Sequence, residues 1–182
     1  MKLSINDITQ TGIFTALTAI GAFISIPVGP VPITLQTFFV LLSGIILGSR
    51  KAMFSQIAYI LLGLVGLPIF AGFSGGLQTI TKPSFGFLIG SVLAAYCVGK
   101  ITEKKSDSTT NMYIAVIIGT LIIYAIGIPY MYYILNIMLS SNLHINQILK
   151  LGMLMFIPGD TIKAIVTVLL GSKLQGKLNK RN

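Results

Sequence analysis

Asp160 and Lys163 are the residues in this chain best suited to do chemistry. Only four acidic residues occur in the sequence, and Asp160 alone has hydrocarbon-rich sequence on both sides. Lys163 follows three positions later, so on a helix the acid and the base share one face. At bilayer depth either charge alone costs roughly 2.5 to 3.5 kcal/mol on insertion scales, and such residues pair, face a bundle interior or mark a substrate path. Two readings are open. After Pro158-Gly159, Asp160 can cap a helix N-terminus, with Lys163 neutralising it. Alternatively, the pair offers one acceptor and one donor to a polar ligand that replaces water. The two readings are compatible.

The stretch 69–79 is the second candidate. Its Gly72, Gly75 and Gly76 allow backbone N–H groups to turn toward a ligand without side chains in the way, while Phe70 and Phe73 can wall an apolar ring. The plainer alternative is a packing or re-entrant loop. Other patterns carry no chemistry. Residues 171–178 approach a phosphate-binding loop, but Leu178 stands where the metal-binding hydroxyl belongs, and no strand precedes the segment. His144 has no second histidine to complete a metal site and reads as an exposed loop residue. Cys97, the single cysteine, lies in an apolar run and reads as a small buried hydrophobe. No serine–histidine–aspartate set is available for hydrolysis, so the chain does not read as an enzyme.

The elements that must position these residues are transmembrane helices. Hydrophobic residues make up 54% of the chain and charged ones 9%, with a mean hydropathy of +0.88, which describes an all-α integral membrane protein. The runs 12–26, 34–47, 52–67, 85–101, 112–139 and 158–170 predict six helices in one domain spanning residues 1–182. Gly127 and Pro129 predict a kink in the fifth. The second run rises only about 21 Å, short of the roughly 30 Å hydrocarbon core, so it is extended by its flanks or lies beside a cavity. The first run has no small-x-small cleavage site between 23 and 31 and reads as retained.

The net charge of +9 follows the positive-inside rule and gives no reason to invoke nucleic acid. With the N-terminus inside, Lys2, Arg50, Lys51, Lys100, Lys104, Lys105, Lys173, Lys177, Lys180 and Arg181 fall on the cytoplasmic side, against Lys82 and Lys150 outside. Both termini are therefore expected in the cytoplasm. The turn at 27–33, the loop at 69–84 and the start of the sixth helix then share the outer side, which predicts a pocket opening outward. Gly44-x-x-x-Gly48, Gly86-x-x-x-Gly90 and a ridge of Gly12, Ala16, Ala19 and Ala22 allow close helix contact, mostly within one molecule.

Three separated motifs carry a family resemblance: Pro30-Val31-Pro32-Ile33-Thr34-Leu35-Gln36-Thr37; Gly63-Leu64-Val65-Gly66-Leu67-Pro68-Ile69-Phe70-Ala71-Gly72 with Ser74-Gly75-Gly76; and Pro158-Gly159-Asp160-x-x-Lys163. Together they resemble the BioY family, the biotin-binding S components of energy-coupling factor (ECF) transporters. The resemblance implies a multi-pass cell-membrane protein with the ECF S-component fold. It also implies high-affinity capture of biotin as transported ligand, with no cofactor of its own. The implied partners are a transmembrane coupling (T) subunit and two cytoplasmic ATPases, with Gly12, Ala16, Ala19 and Ala22 as the face toward the coupling subunit, although a strict Ala-x-x-x-Ala spacing is absent. Asp160 and Lys163 then meet polar groups of biotin. Gly75 and Gly76 take its other polar end, Phe70, Phe73 and Tyr59 lie against its rings, Gln78 adds an amide, and Thr34 and Gln36 line the mouth. Thr34 alternatively caps the second helix, and which end of biotin meets which cluster is open. An S component for another small vitamin, or a membrane scaffold or channel subunit, are the competing readings.

Overall fold

The computed structural model describes residues 4–104 and 108–179. Lys2, Lys105, Lys180 and Arg181 of the charge count lie outside them, as do the side chains of Lys104 and Lys177. Helix α1 (Ile5–Phe23) starts with a capping box. Ser4 accepts from the Asp7 N–H, and the Asp7 carboxylate accepts from the Ser4 N–H. The Ser4 hydroxyl and N–H, together with Lys51 at 3.1 Å, hold the Asp7 carboxyl below the usual carboxylate range.

Pro27, Gly29, Pro30 and Pro32 do more than break the helix. A two-residue ladder, β1 (Ser25–Ile26) against β2 (Ile33–Thr34), closes the turn in antiparallel register, an element that composition and hydropathy gave no hint of.

Helix α2 (Gln36–Leu47) has twelve residues, about 18 Å of rise, and buries nine of them. It is the central post of the bundle and packs on α1, α3, α4 and α7. A single residue, Gly48 at φ 77°, separates it from α3 (Ser49–Leu64), where a run of four turn residues was expected. Two constraints select glycine there: the left-handed backbone, and the Glu103 carboxylate where a Cβ would sit. That carboxylate accepts from the Ser49 N–H (2.6 Å) and hydroxyl (2.9 Å), so the end of α4 caps the start of α3.

Helices α4 (Phe85–Lys104) and α5 (Thr109–Tyr132) form the tightest pair. Gly86, Gly90 and Gly119 allow it, since a Cβ at each would overlap the facing helix or its neighbours. The Gly86-x-x-x-Gly90 spacing thus serves internal packing. Pro129 does not end α5. The winding continues past it and passes into a π-helical segment, Tyr133–Met138. After a short α6 (Ile145–Leu149) and a second π-helical segment (Lys150–Leu154), α7 runs from Ile157 to Asn179. The phosphate-loop look-alike lies inside α7, and a helix cannot wrap a phosphate as such a loop does.

The described chain is mostly helical. Among the described residues three stretches are long and apolar enough to cross a membrane: Phe85–Glu103, Thr109–Met138 and Ile145–Gln175. Gln36–Leu47 is apolar but shorter. Exposed Ile117, Leu121, Ile162, Val166 and Leu169 clothe the outer faces of α5 and α7, the pattern of a bundle bathed in lipid. The core beneath is built from Leu41, Ile45, Val98, Val116 and Val168 where α2, α4, α5 and α7 meet.

Candidate functional site

Where the β1–β2 turn, the loop after α3 and the start of α7 converge, the bundle encloses a cavity of about 250 Å³. That is near the lower end of the roughly 300–1,000 Å³ typical of small-molecule sites. Its apolar wall comes from Val31, Phe70, Phe85, Phe87, Leu88, Ile123 and Phe156. Its polar groups are Thr34, Gln36, Thr37, Ser74, Thr79, Lys82, Ser84, Ser91, Thr120, Tyr124, Asp160 and Lys163. The first residues of α2, Gln36 and Thr37, line this cavity, which accords with a short helix beside a cavity.

Asp160 is not the helix cap. Helix α7 begins three residues earlier, and the Asp160 N–H already donates to the Phe156 carbonyl at 2.8 Å. Its carboxylate still gains from lying in the first turn. Oδ1 lies 2.5 Å from the Lys163 ammonium, and Oδ2 accepts from the Tyr124 hydroxyl of α5. Lys163, only 8% exposed, also donates to the Thr34 carbonyl at 3.1 Å. One charge pair therefore ties together α5, α7 and the strand before α2. The ammonium gives one of its three N–H groups to Thr34, and the carboxylate accepts from Tyr124 while Oδ1 meets the ammonium as an ion pair without a hydrogen bond, so each keeps capacity for a ligand.

Tyr124 escaped the sequence reading. Its only signal was a phenol in the middle of an otherwise apolar run, which hydropathy counts as one more hydrophobe.

Gln36 lines the same cavity and is buried, at 7% exposure. Its backbone N–H donates to the Thr34 hydroxyl at 3.3 Å, so Thr34 does serve the start of α2, but the Gln36 side chain makes no hydrogen bond among the described residues. An amide that lines a cavity without a protein partner is open to water or to a ligand there.

Of the sequence candidates, the structure brings Asp160, Lys163, Phe70, Thr34 and Gln36 to the cavity wall and leaves five others off it. Tyr59 stands behind the wall. Its ring meets Phe70 edge to face at 5.4 Å and its hydroxyl donates to the Ile69 carbonyl at 3.0 Å, so it buttresses Phe70. Phe73 is 68% exposed at φ 54° and stacks on Phe23 of α1 at 4.6 Å, because the Phe70–Ser74 bridge forms a tight turn whose tip points away from the cavity. The Gly76 N–H is already spent on the Gly63 carbonyl at 2.7 Å. Gly75 packs so closely on the Leu67 carbonyl that no Cβ fits, and its own carbonyl accepts from the Gln78 side chain at 2.6 Å. These residues hold the loop's shape.

The ridge on α1 also divides. Gly12 and Ala16 face outward, whereas Ala19 and Ala22 are buried against Tyr59 and Phe70.

The model of the BioY family matches residues 1–180. The chain belongs to the BioY family. A Thermotoga maritima protein named "Biotin transporter BioY" is 40% identical over 169 residues, covering 93% of this chain and 95% of that one. A Lysinibacillus sphaericus protein named "Probable biotin transporter BioY" is 42% identical over 169 residues, covering 92% and 86%. A crystal structure of the S-component for biotin from an ECF-type ABC transporter matches with a TM-score of 0.83 and 29% identity, over 94% of this chain and 92% of that one. BioY membership makes the chain a transport component and not an enzyme, and the likeness runs through every element that lines the cavity.

Proposed function

We propose that this BioY protein is the biotin-binding S component of an ECF-type vitamin transporter, taking biotin as cargo rather than as a cofactor. Residues 1–182 form one six-helix substrate-binding domain in the cell membrane, with both termini cytoplasmic and the cavity facing outward. The excess of Lys and Arg at the end opposite the cavity supports that orientation. A transmembrane coupling subunit and two cytoplasmic ATPases complete the transporter, in keeping with an S-component neighbour from an ECF-type assembly.

The observation that carries this reading is the combination of an aromatic-walled cavity with a neutral acid–base–phenol cluster and an unpartnered amide at Gln36. Biotin has a ureido ring with two N–H donors and one carbonyl, fused to an apolar thiophane and carrying an acidic tail. The ureido N–H groups suit Asp160 and the Gln36 oxygen, and its carbonyl suits the remaining Lys163 donor. Phe70, Phe87 and Phe156 supply apolar surface for the rings. Titrating the detergent-purified chain with biotin, thiamine and riboflavin, without ATP, tests the assignment. Only biotin should bind; binding of thiamine or riboflavin in its place would reassign the protein to another vitamin.

A further inference from the structure

Three charged side chains line the cavity: Asp160, Lys163 and Lys82. The first two neutralise each other at 2.5 Å. Lys82 makes no ion pair among the described residues, so the lining carries one surplus positive charge. Its backbone is fixed from both sides. The Lys82 N–H donates to the Thr79 carbonyl at 3.1 Å, its carbonyl accepts from the Phe85 N–H at 3.0 Å, and Pro83 stiffens the step between them. Lys82 is exposed while lining the cavity, which puts it at the rim, whereas Lys163 is buried. Ser84, also on the lining, brings a hydroxyl with no protein hydrogen bond among the described residues.

The cavity is thus electrostatically two-ended. Its buried end is polar but net neutral, which suits an uncharged hydrogen-bonding head. Its rim holds a cation on a fixed stretch of backbone beside an uncommitted donor, which suits an anion. We infer that Lys82 is the residue that selects a carboxylate, pairing with the ligand's acid at the rim and so fixing the ligand head-inward. This rests on the biotin reading and deepens it, because the ureido ring then faces Asp160 and Lys163 and the acidic tail faces outward. Lys163 is poorly suited to the acid, as its charge is already balanced by Asp160 at 2.5 Å and it is buried away from the rim.

The test is direct binding to the purified full chain of biotin and of its carboxamide, which keeps the ring and removes the charge. The parent should prefer the acid by about three- to tenfold, the range of one charge-assisted contact at a partly solvated site. Lys82→Gln should erase that preference by weakening the acid while leaving the carboxamide unchanged, and Lys82→Arg should keep it. The acid's advantage should also shrink in high salt. A Lys82→Gln variant with the parent's preference, or one that weakens both ligands equally, overturns the inference while leaving biotin as the cargo. Failure of the parent to bind biotin at all would defeat both readings.

Discussion

Removing the two halves of the Asp160–Lys163 pair separately and together measures whether it is a structural lock, a ligand contact or both. Each side chain is about a tenth exposed, at 10% and 11%, so the pair is largely cut off from water. Stranding one member of a buried pair costs roughly 3–5 kcal/mol, whereas replacing both is far less costly. In Lys163→Met the carboxylate keeps its Tyr124 hydrogen bond, and in Asp160→Asn the ammonium keeps the Thr34 carbonyl, so the lower figure of about 3 kcal/mol applies to each. Independent losses would give about 6 kcal/mol in the double variant; a closed pair predicts a double that loses less than either single, below about 3, hence a coupling of more than about 3 kcal/mol. Thermal unfolding of the ligand-free protein reads the stability term. Biotin titration reads the other, where each single variant should bind at least about tenfold more weakly, or 1.4 kcal/mol. Additive stability losses would refute the closed pair. Coupled stability losses with the parent's biotin affinity in both single variants would refute the ligand contact and leave the pair purely structural.

Tyr124→Phe should lower biotin affinity by about tenfold and stability by about 1.5 kcal/mol in the same two assays, because a buried carboxylate oxygen loses its donor. Gln36→Leu should weaken biotin while leaving the ligand-free melting temperature unchanged or raised, since the amide has no protein partner to lose; a destabilised variant with normal affinity would show that Gln36 serves the fold. Gly99→Ala should cost about 1–3 kcal/mol in thermal unfolding, as its Cβ would meet the Ser49 backbone, whereas Gly12→Ala, with nothing within 4 Å, should be neutral or slightly stabilising.

The sequence reading reached the helices because runs of apolar residues report burial in lipid directly, and it reached Asp160 and Lys163 because charge in such a run is conspicuous. It placed the three outer turns at one end, and they do share a cavity. What it missed depends on direction rather than composition. Phe70 and Phe73 are indistinguishable as letters, yet a turn of four residues sends one into the cavity and the other onto Phe23. Gly75 and Gly76 looked like free backbone donors, but the folded loop spends the Gly76 amide on Gly63 and needs Gly75 for its close approach to Leu67. Ala19 and Ala22 differ from Gly12 and Ala16 only in the face of α1 they occupy, and small residues suit an internal contact as well as an external one. Tyr124 was hidden because hydropathy sums cannot weigh one hydroxyl aimed at a carboxylate on another helix.

The brevity of α2 has a consequence for transport. The cavity takes its lining from the near ends of α2, α4 and α7 and the middle of α5, and below it Leu41, Ile45, Val98 and Val168 pack with almost no exposure. Among the described residues the site is a pit above a packed apolar plug. A polar ligand that enters can leave by the way it came, or the barrier must move relative to the ligand. The phosphate-loop look-alike is wound into α7, so it offers no phosphate cradle for driving such a step.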